Sequence, residues 1–376
     1  MIYFDSAATT PVFKEVLQNL NHYYRDYFAN PNSIHKEGQK ARQLIEKSRF
    51  YISEVIGCKD DEIFFTSCAT ESNNTVIFGV AEKFSHKNKI LVSPVEHKSV
   101  LIPLRQLIKR GFKVEFLKVD IDGKVDIDYL KKSIDEKTSL VVVIHGNNET
   151  GILQDIENIG KICKEKDVLF FTDVVQSFLK EDINIEYIDF LSISGHKINA
   201  PKGVGLLYKR KDIDISPLIY GGGQEKGLRS GTENVQLIGA FADSVRIWKQ
   251  NSQDFIKNLR EVRERFESKI KEYIPQIQIV GENVRRLPHI SNVIFPNVDA
   301  QSIIMALDSE GICVSSGSAC SSGTPTPSHV LLSMGYSQKK ALSSVRFSFG
   351  IYNTLEEVDF AIEKIKETYL QLSTFF

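Results

Sequence analysis

The sequence of 376 residues has no excess of charge of either sign, because 47 lysines and arginines stand against 48 aspartates and glutamates. A net charge of −1 provides neither the basic surface that binds nucleic acid nor a polybasic membrane anchor. No apolar run approaches the roughly 18 residues that a transmembrane helix needs. The opening residues MIYFDS lack the basic and apolar segments of a signal peptide. These absences predict a cytoplasmic protein that binds neither nucleic acid nor membrane directly.

Cysteine is scarce, and the five cysteines form no C-x-x-C pair and no zinc-site spacing, so no metal site is predicted. An odd set of this size in a long chain also excludes a disulfide framework, and most of these thiols are expected to be reduced packing residues. Cys320 differs, because the Gly/Ser/Pro-rich stretch 315–327 around it predicts an exposed loop. Since thiol reactivity follows access and thiolate fraction, Cys320 is the candidate reactive thiol.

The length is sufficient for two domains, and a hydrophobic content of 42% is typical of a soluble protein with a sizeable core. Short apolar runs alternate with amphipathic segments in the first part of the chain, at 90–92, 114–119, 140–144, 168–172, 190–193 and 205–208. These runs are β-branched and aromatic, and several are apolar at consecutive positions. The pattern predicts an α/β fold with a mostly parallel central sheet and helices on both faces.

The pattern changes after residue 235. Apolar residues recur every three or four positions through the charged stretch 255–274, which predicts a long amphipathic helix ended by Pro275. Shorter predicted strands at 290–295, 312–315 and 345–349 follow, with helices at 299–309 and 354–372. We therefore predict a large α/β domain of residues 16–240 and a smaller α+β domain formed by residues 1–15 and 241–376.

Reactive side chains follow four of the predicted strands, namely His97, Asn148, Asp173 and Lys197. In a sheet of this kind, ligands bind outside the carboxyl ends of the strands. Each residue alone has a simpler explanation, as a surface residue, a satisfied core histidine or a helix cap. Their convergence on one edge of one sheet indicates a functional site instead.

Pyridoxal phosphate chemistry requires this combination: a lysine for a Schiff base, an acid beside the pyridinium nitrogen and a cradle for phosphate. The stretch 66–73 follows a predicted strand and opens a helix, so Ala69 and Thr70 lie where backbone N–H groups bind anions. A plain helix cap explains that stretch equally well. The glycine-rich segments 201–205 and 221–227 match neither the dinucleotide-binding nor the Walker pattern, which argues against a nicotinamide dehydrogenase or an NTPase.

Taken in order along the chain, ten motifs resemble those of one family. They are YFDSAATTP (3–11), NPNSIH (30–35), FTSCATE (65–71), EH (96–97), NNETG (147–151), DVVQ (173–176), SGHK (194–197), the segment 221–232, GSAC (317–320) and VRFS (345–348). The chain resembles the cysteine desulfurases of the NifS/IscS-like group, in the class-V aminotransferase family of fold-type I pyridoxal phosphate enzymes. Cys68 stands where that family usually has glycine, and we interpret it as a small residue in a glycine-sized site.

The resemblance implies how the cofactor would be held. Lys197 would carry it as a Schiff base and shuttle the α-proton, and Asp173 would pair with the pyridine nitrogen. Gln176 would hydrogen-bond the ring hydroxyl, while His97 would stack on the ring as an acid/base. The residues implied to bind cofactor phosphate, the last of them from a second subunit of a homodimer, are Ala69, Thr70, Ser194, His196 and Thr232.

The resemblance also implies the reaction. Arg346 and Asn148 would bind the carboxylate of L-cysteine, and Cys320 would accept the sulfur as a persulfide while L-alanine is released. The persulfide would pass to an acceptor protein, such as an iron–sulfur scaffold or a tRNA-thiolation enzyme. Two alternatives remain: a class-V lyase or transaminase acting on selenocysteine or another amino acid, and a non-catalytic scaffold that kept the fold.

Overall fold

The computed structural model describes residues 1–317 and 326–374. Its strands are β1 (Ile2–Tyr3), β2 (Ile63–Thr66), β3 (Lys89–Val92), β4 (Lys113–Phe116), β5 (Thr138–Val142), β6 (Leu169–Asp173), β7 (Phe190–Ser194), β8 (Gly205–Lys209), β9 (Gln278–Ile279), β10 (Ile290–Ile294), β11 (Ile312–Cys313) and β12 (Ser344–Ser348). Each run predicted as a strand overlaps one of these elements, so the predicted strand positions are confirmed to within a few residues.

The helices flank three sheets. They are α1 (Lys14–Asp26), α2 (Lys36–Ile56), α3 (Ala69–Lys83), α4 (Lys98–Lys109), α5 (Ile127–Ser133), α6 (Ile156–Glu165), α7 (Val235–Gln250), α8 (Ser252–Tyr273), α9 (Ala300–Ser309), α10 (His329–Ser333), α11 (Gln338–Leu342) and α12 (Leu355–Ser373). Among the described residues, no helix combines the length and apolar character that a membrane crossing demands.

A seven-stranded sheet in the order β2-β8-β7-β6-β5-β3-β4 forms the centre of the fold. All of its neighbouring strands are parallel except β8, which runs antiparallel to both β2 and β7. Successive residues of β5 belong to different hydrophobic clusters: Val141 packs with α2, α6 and α7, and Val142 with α3 and α4. The sheet is therefore covered on both faces, which is why its strands are apolar at consecutive positions.

The second part of the chain forms the sheet β9-β10-β12 and, together with the N-terminal strand β1, the sheet β1-β11. The helix predicted for 255–274 is α8, and its apolar stripe of Leu259, Val262, Phe266 and Ile270 is fully buried. The β1-β11 pairing brings the N-terminal residues against 312–313, and Asp5 forms a further bridge to Ser348. The domain boundary near residue 240 stays a prediction.

The edge of the large sheet where the parallel strands end also contains the start of α3. Residues Ser194 of β7, Gly205 of β8 and Thr66 of β2 lie side by side there, because β8 runs in the opposite direction. A Cβ atom on Gly205 would lie 2.7 Å from the Cα of Cys68. The glycine thus permits the first turn of α3 to approach the sheet edge closely.

A buried ion pair holds the segment around Glu225 against β2. Arg49 of α2 donates two hydrogen bonds of 2.8 Å to the Glu225 carboxylate and one of 2.8 Å to the carbonyl of Ile63. Glu225 also accepts a bond of 2.8 Å from the N–H of Phe65. Both side chains of the pair are at most 3% exposed.

We expect the substitution Arg49→Met to lower the free energy of unfolding by about 3–5 kcal/mol, because it leaves the Glu225 carboxylate buried without its counter-charge. Urea unfolding followed by circular dichroism would measure the loss. The matched control is Arg265→Met, which removes a two-bond pair with Asp359 at the exposed surface. An equally small loss in both variants would contradict this prediction.

Candidate active site

A cavity of about 400 Å³ opens at the carboxyl edge of the large sheet. Ten of the predicted site residues line it together: Ala69, Thr70, His97, Asn148, Asp173, Gln176, Ser194, His196, Lys197 and Arg346. They come from loops and elements spread over nearly 280 residues of sequence, and the strand ends and the start of α3 bring them to one place. The backbone of Ala7 and Ala8 completes one wall.

Asp173 is the last residue of β6, and its carboxylate is buried in the wall of the cavity. One oxygen accepts a hydrogen bond of 3.1 Å from the Asn73 amide, and the other accepts one of 2.9 Å from the N–H of Val175. The Asn73 amide also donates to Ser99 Oγ at 2.8 Å. These donors fix a negative charge at the cavity wall and leave further lone pairs for a ligand.

His97 caps the first turn of α4, since its Nδ1 accepts a hydrogen bond of 3.1 Å from the N–H of Ser99. The same nitrogen lies 2.7 Å from Ser99 Oγ. The ring is open to the cavity, yet the surrounding protein lowers its pKa below the ordinary histidine value, and the charge of Asp173 acts in the opposite direction. The imidazole is thus oriented through Nδ1, with Nε2 as its remaining nitrogen.

Lys197 ends a short 3₁₀ turn, Gly195–Lys197, that follows β7. Its Nζ donates hydrogen bonds to the carbonyl oxygens of Ala7 at 2.7 Å and Ala8 at 2.5 Å. Burial lowers the pKa of this amine to about 8, and the positive charge of Arg346 adds to the effect, while Asp5 and Asp173 oppose it. At pH 7, roughly a tenth of Lys197 is therefore a neutral, nucleophilic amine, and this fraction rises steeply towards pH 8.

The first turn of α3 forms one end of the cavity with Cys68, Ala69 and Thr70. Within the described chain, the side chain of the N-cap residue Cys68 makes no capping hydrogen bond, so the first N–H groups of the helix remain open to an anion. Cys68 is half-buried and small enough to fit beside Gly205, in line with its interpretation as a space-filling residue.

His196 lies at the same end of the cavity, and its Nδ1 is 3.1 Å from Thr9 Oγ1. Burial and the neighbouring charge of Lys197 lower the pKa of His196 to about 4. The ring is consequently neutral at pH 7 and can offer a neutral N–H donor. Ser194 is buried next to it at the end of β7.

Gln176 is held by protein groups on two sides. Its Nε2 donates to the carbonyl of Ala7 at 2.8 Å, and its Oε1 lies 3.1 Å from Nε2 of the fully buried His289. Burial lowers the pKa of His289 well below the ordinary value, so the imidazole is neutral and donates to the amide oxygen. The Gln176 amide therefore has one N–H without a partner among these groups, and Gln176 is one of the residues that line the cavity.

Arg346 brings a buried guanidinium from β12 to the cavity. Its two terminal nitrogens donate to the backbone carbonyl of Asn148 at 2.9 Å and to the Asp5 carboxylate at 2.8 Å. Its Nε has no partner among residues 1–317 and 326–374. A guanidinium in the wall of a cavity is the typical partner of a carboxylate ligand.

Two predicted residues are not among those that line this cavity, one because it lies elsewhere and one because it is outside the described residues. Thr232 is exposed and lines a separate cavity of about 210 Å³ with Ser67 and Arg229. Cys320 lies outside the described residues. The chain leading to it is described as far as Gly317, which lines the main cavity with Ser315, and Ser315 pairs with Arg346 in a β-bridge.

Sequence reasoning missed several residues that shape the site. Asp5, Asn73 and Ser99 fell within or beside the motifs considered, but nothing in their spacing indicates that they would contact Arg346, Asp173 and His97. His289 has no local signal at all, since it is 113 positions from its partner Gln176. The roles predicted for the lining residues remain predictions, although their common location is observed.

Comparison with known proteins connects this site to one family. The model of the family "Aminotransferase class-V" matches residues 2–360. A protein from Dictyoglomus turgidum named cysteine desulfurase IscS is 42% identical over 376 residues, which cover 99% of this chain and 95% of the relative. Cysteine desulfurase IscS 1 of Archaeoglobus fulgidus is also 42% identical, with coverages of 96% and 95%.

Comparison with solved structures points to the same family. A structure titled NifS-like protein superposes with a TM-score of 0.92 at 38% identity, covering 97% of this chain and 98% of the other. A structure titled SspA in complex with cysteine has a TM-score of 0.83 at 36% identity, with coverages of 94% and 100%. The predicted fold class is confirmed, and the chain belongs to the class-V aminotransferase family, in its group of cysteine desulfurases.

Proposed function

We propose that this protein is a pyridoxal phosphate-dependent cysteine desulfurase, which converts L-cysteine to L-alanine and transfers the sulfur to Cys320 as a persulfide. The observation that carries the proposal is the presence of the Lys197 amine, the Asp173 carboxylate and the Arg346 guanidinium in the wall of one cavity. The names of the relatives and the cysteine complex of one of them support L-cysteine as the substrate. The sulfur would serve iron–sulfur cluster assembly or tRNA thiolation through an acceptor protein.

The residues present fit pyridoxal phosphate. Lys197 would hold its aldehyde carbon, Asp173 its pyridine nitrogen and the open first turn of α3 its phosphate, with His196 and Ser194 beside that phosphate. His97 would cover the ring, and the remaining Gln176 N–H would meet the ring oxygen. The bound group supplies an electron sink for the substrate carbanion.

Arg346 and Asn148 would bind the substrate. The α-carboxylate of L-cysteine would accept hydrogen bonds from the guanidinium, whose Nε is still unpaired among the described residues. Asp5 and the Asn148 carbonyl hold the terminal nitrogens and so orient the group before substrate arrives. This arrangement favours small molecules that carry a carboxylate.

Lys197 and His97 would transfer the protons of the reaction. An amine with a pKa of about 8 is a competent base for the substrate Cα proton and can return it to a neighbouring carbon. His97, with a lowered pKa and Nδ1 fixed by Ser99, would exchange protons at the substrate amine and sulfur through Nε2. Both residues line the cavity.

Cys320 would accept the sulfur from the substrate. Two residues lie between Gly317 and Cys320, so three fully extended residue steps span at most about 11 Å from that point on the cavity wall. Its thiolate would attack the substrate sulfur, forming an S–S bond as the carbon–sulfur bond breaks. The electron pair left on the substrate Cβ takes a proton and becomes the methyl group of alanine. The thiol sulfur is oxidised and Cβ is reduced, so no external oxidant is needed.

The proposal is tested with purified protein, pyridoxal phosphate, L-cysteine and a thiol reductant. We expect alanine and sulfide to form in equal amounts and over many turnovers, because the reductant releases sulfur from Cys320. A protein that binds the cofactor and forms no alanine would contradict the desulfurase function and favour another amino-acid substrate. A protein that binds no cofactor at all would favour the non-catalytic scaffold.

The pKa of Lys197 predicts how fast apo-protein captures the cofactor aldehyde. Only the neutral amine attacks, so the rate should rise with pH through about 8 and level off above that value. Stopped-flow absorbance between pH 6 and 10 measures this profile. In the variant Arg346→Gln the midpoint should move to higher pH, because Arg346 lowers the pKa. A midpoint near the ordinary lysine value in the unmodified protein would contradict the prediction.

The position of Thr232 favours a homodimer. It is exposed and lies outside the main cavity of its own chain, so a phosphate-binding role requires that it reach the cavity of a second copy. Light scattering of the purified protein should give twice the mass of the chain. A monomer that keeps full activity would contradict this role of Thr232.

A further inference from the structure

A second buried lysine, Lys180, lies behind the catalytic cavity. It is 5% exposed, and it follows Leu179, whose φ of 63° is a left-handed conformation that a leucine adopts only at a cost. The strained residue turns the chain at the point where the Lys180 side chain enters the protein. Backbone strain of this kind is maintained where the surrounding structure requires one particular side-chain position.

The side-chain amine of Lys180 contacts the backbone of Lys197. Its Nζ donates a hydrogen bond of 3.2 Å to the carbonyl oxygen of Lys197, and it lies 5.2 Å from the centre of the Trp248 ring. The Trp248 indole donates in turn to Asn199 at 3.1 Å, just after the turn that contains Lys197. Lys180 is therefore part of the support beneath that turn.

A buried lysine at this position is expected to lower the stability of the fold. Across residues 1–317 and 326–374, no carboxylate lies within 4 Å of its Nζ, and a buried charge without a counter-ion destabilises a fold. Burial lowers the pKa of Lys180 to about 7, with repulsion from Lys197 as the second cause. An apolar residue of similar length would fill the same space without that cost.

We propose that Lys180 is a positioning residue that holds the peptide carbonyl of Lys197, so that the Lys197 amine stays directed into the cavity. The proposal rests on the proposed function, because it takes Lys197 as the residue that captures the cofactor. It assigns to Lys180 no contact with substrate or cofactor. Its effect should therefore appear in how fast Lys197 reacts and not in how well the chain folds.

The first test is the substitution Lys180→Met, with Lys209→Met as a matched control. Lys209 also donates to a backbone carbonyl, that of Ile213 at 2.6 Å, and lies 5.5 Å from the centre of the Phe64 ring. It occupies the opposite end of its strand from Gly205, about 13 Å away from the site edge. The control thus removes the same kinds of contact far from the cavity.

Two quantities are measured for each variant. One is the rate at which Lys197 condenses with pyridoxal phosphate, with loss of water, read by absorbance and verified by borohydride reduction and peptide mass. The other is the melting temperature of the apo-protein. For Lys180→Met we expect capture to slow at least tenfold while the melting temperature is unchanged or higher. For Lys209→Met we expect the capture rate of the unmodified protein.

A second variant separates positioning from general damage. Lys180 lines a groove of about 570 Å³ on the protein surface, so the space left in Lys180→Ala is open to small amines. Ethylammonium added to that variant should restore a large part of the capture rate, while it should leave Lys180→Met unchanged because methionine fills the space. The unmodified protein with the same amine serves as the control for direct competition at the cofactor.

Unchanged capture in Lys180→Met, or a fall in melting temperature without amine rescue in Lys180→Ala, would overturn the proposal. Failure of the proposed desulfurase function can be distinguished from failure of the proposed role of Lys180. If the unmodified protein forms no alanine but Lys180→Met still slows capture, the desulfurase function fails and the role of Lys180 stands. If alanine forms normally and capture is independent of Lys180, only the positioning role fails.

Discussion

Replacing Lys197 with alanine is expected to lower the rate of alanine formation from L-cysteine by about 10²–10⁴-fold, the range that a positioned acid/base contributes. The upper end is expected, because the substitution also removes the amine that would hold the cofactor. The buried Lys180 is not expected to replace it, since its Nζ is bound to the Lys197 carbonyl behind the cavity. The measurement is alanine production with saturating pyridoxal phosphate and L-cysteine.

The control for this variant is again Lys209→Met, which should retain the rate of the unmodified protein. The melting temperature of Lys197→Ala should not fall, because burial of the Lys197 amine disfavours its charged form and removal of the amine relieves that cost. After borohydride treatment, the variant should retain no covalently bound cofactor. A variant that keeps more than a tenth of the activity would contradict the assignment of Lys197.

Replacing Cys320 with serine is expected to reduce sulfide and alanine formation to the background measured without protein. A thiol has a few per cent thiolate at neutral pH and is intrinsically nucleophilic, whereas an unactivated hydroxyl is not. Cofactor binding should be unchanged, because none of the predicted cofactor contacts involves Cys320. If the protein were a class-V lyase or transaminase, cleavage of selenocysteine or transamination would survive in this variant, so that alternative is tested at the same time.

The other thiols provide controls for Cys320→Ser. Burial raises the pKa of Cys58 to about 12, so Cys58→Ser should have no effect on sulfur transfer. Cys68 lines the cavity, and Cys68→Ser tests whether this thiol acts only as a small residue. Retention of desulfurase activity in Cys320→Ser together with its loss in Cys68→Ser would contradict both assignments.

The predictable part of this fold is local. Strands such as β5 and β7 are buried at every position, so their apolar runs are visible in the sequence. The helix α8 is visible for the complementary reason, since one buried stripe repeats every three or four residues in a charged segment. Because parallel strands end at one edge, Asp173 and Lys197 could be placed together from their positions after predicted strands.

The contacts that the sequence does not predict are those between segments that are far apart in the chain. Asp5 orients Arg346 across 341 positions, through the pairing of β1 with β11 and a bridge to β12. His289 determines the orientation of the Gln176 amide through one hydrogen bond in the protein interior. Neither contact leaves a periodic or spacing signal, because each is made by a single side chain whose neighbours in sequence serve other purposes.

The most direct test of the desulfurase proposal is a single-turnover experiment followed by mass spectrometry. Protein loaded with pyridoxal phosphate is mixed with one equivalent of L-cysteine in the absence of reductant, and both alanine and the cysteine-containing peptides are quantified. We predict one alanine per active site and one additional sulfur atom on the peptide that contains Cys320. Sulfur on a different cysteine, or alanine without any protein-bound sulfur, would contradict the proposed function of Cys320.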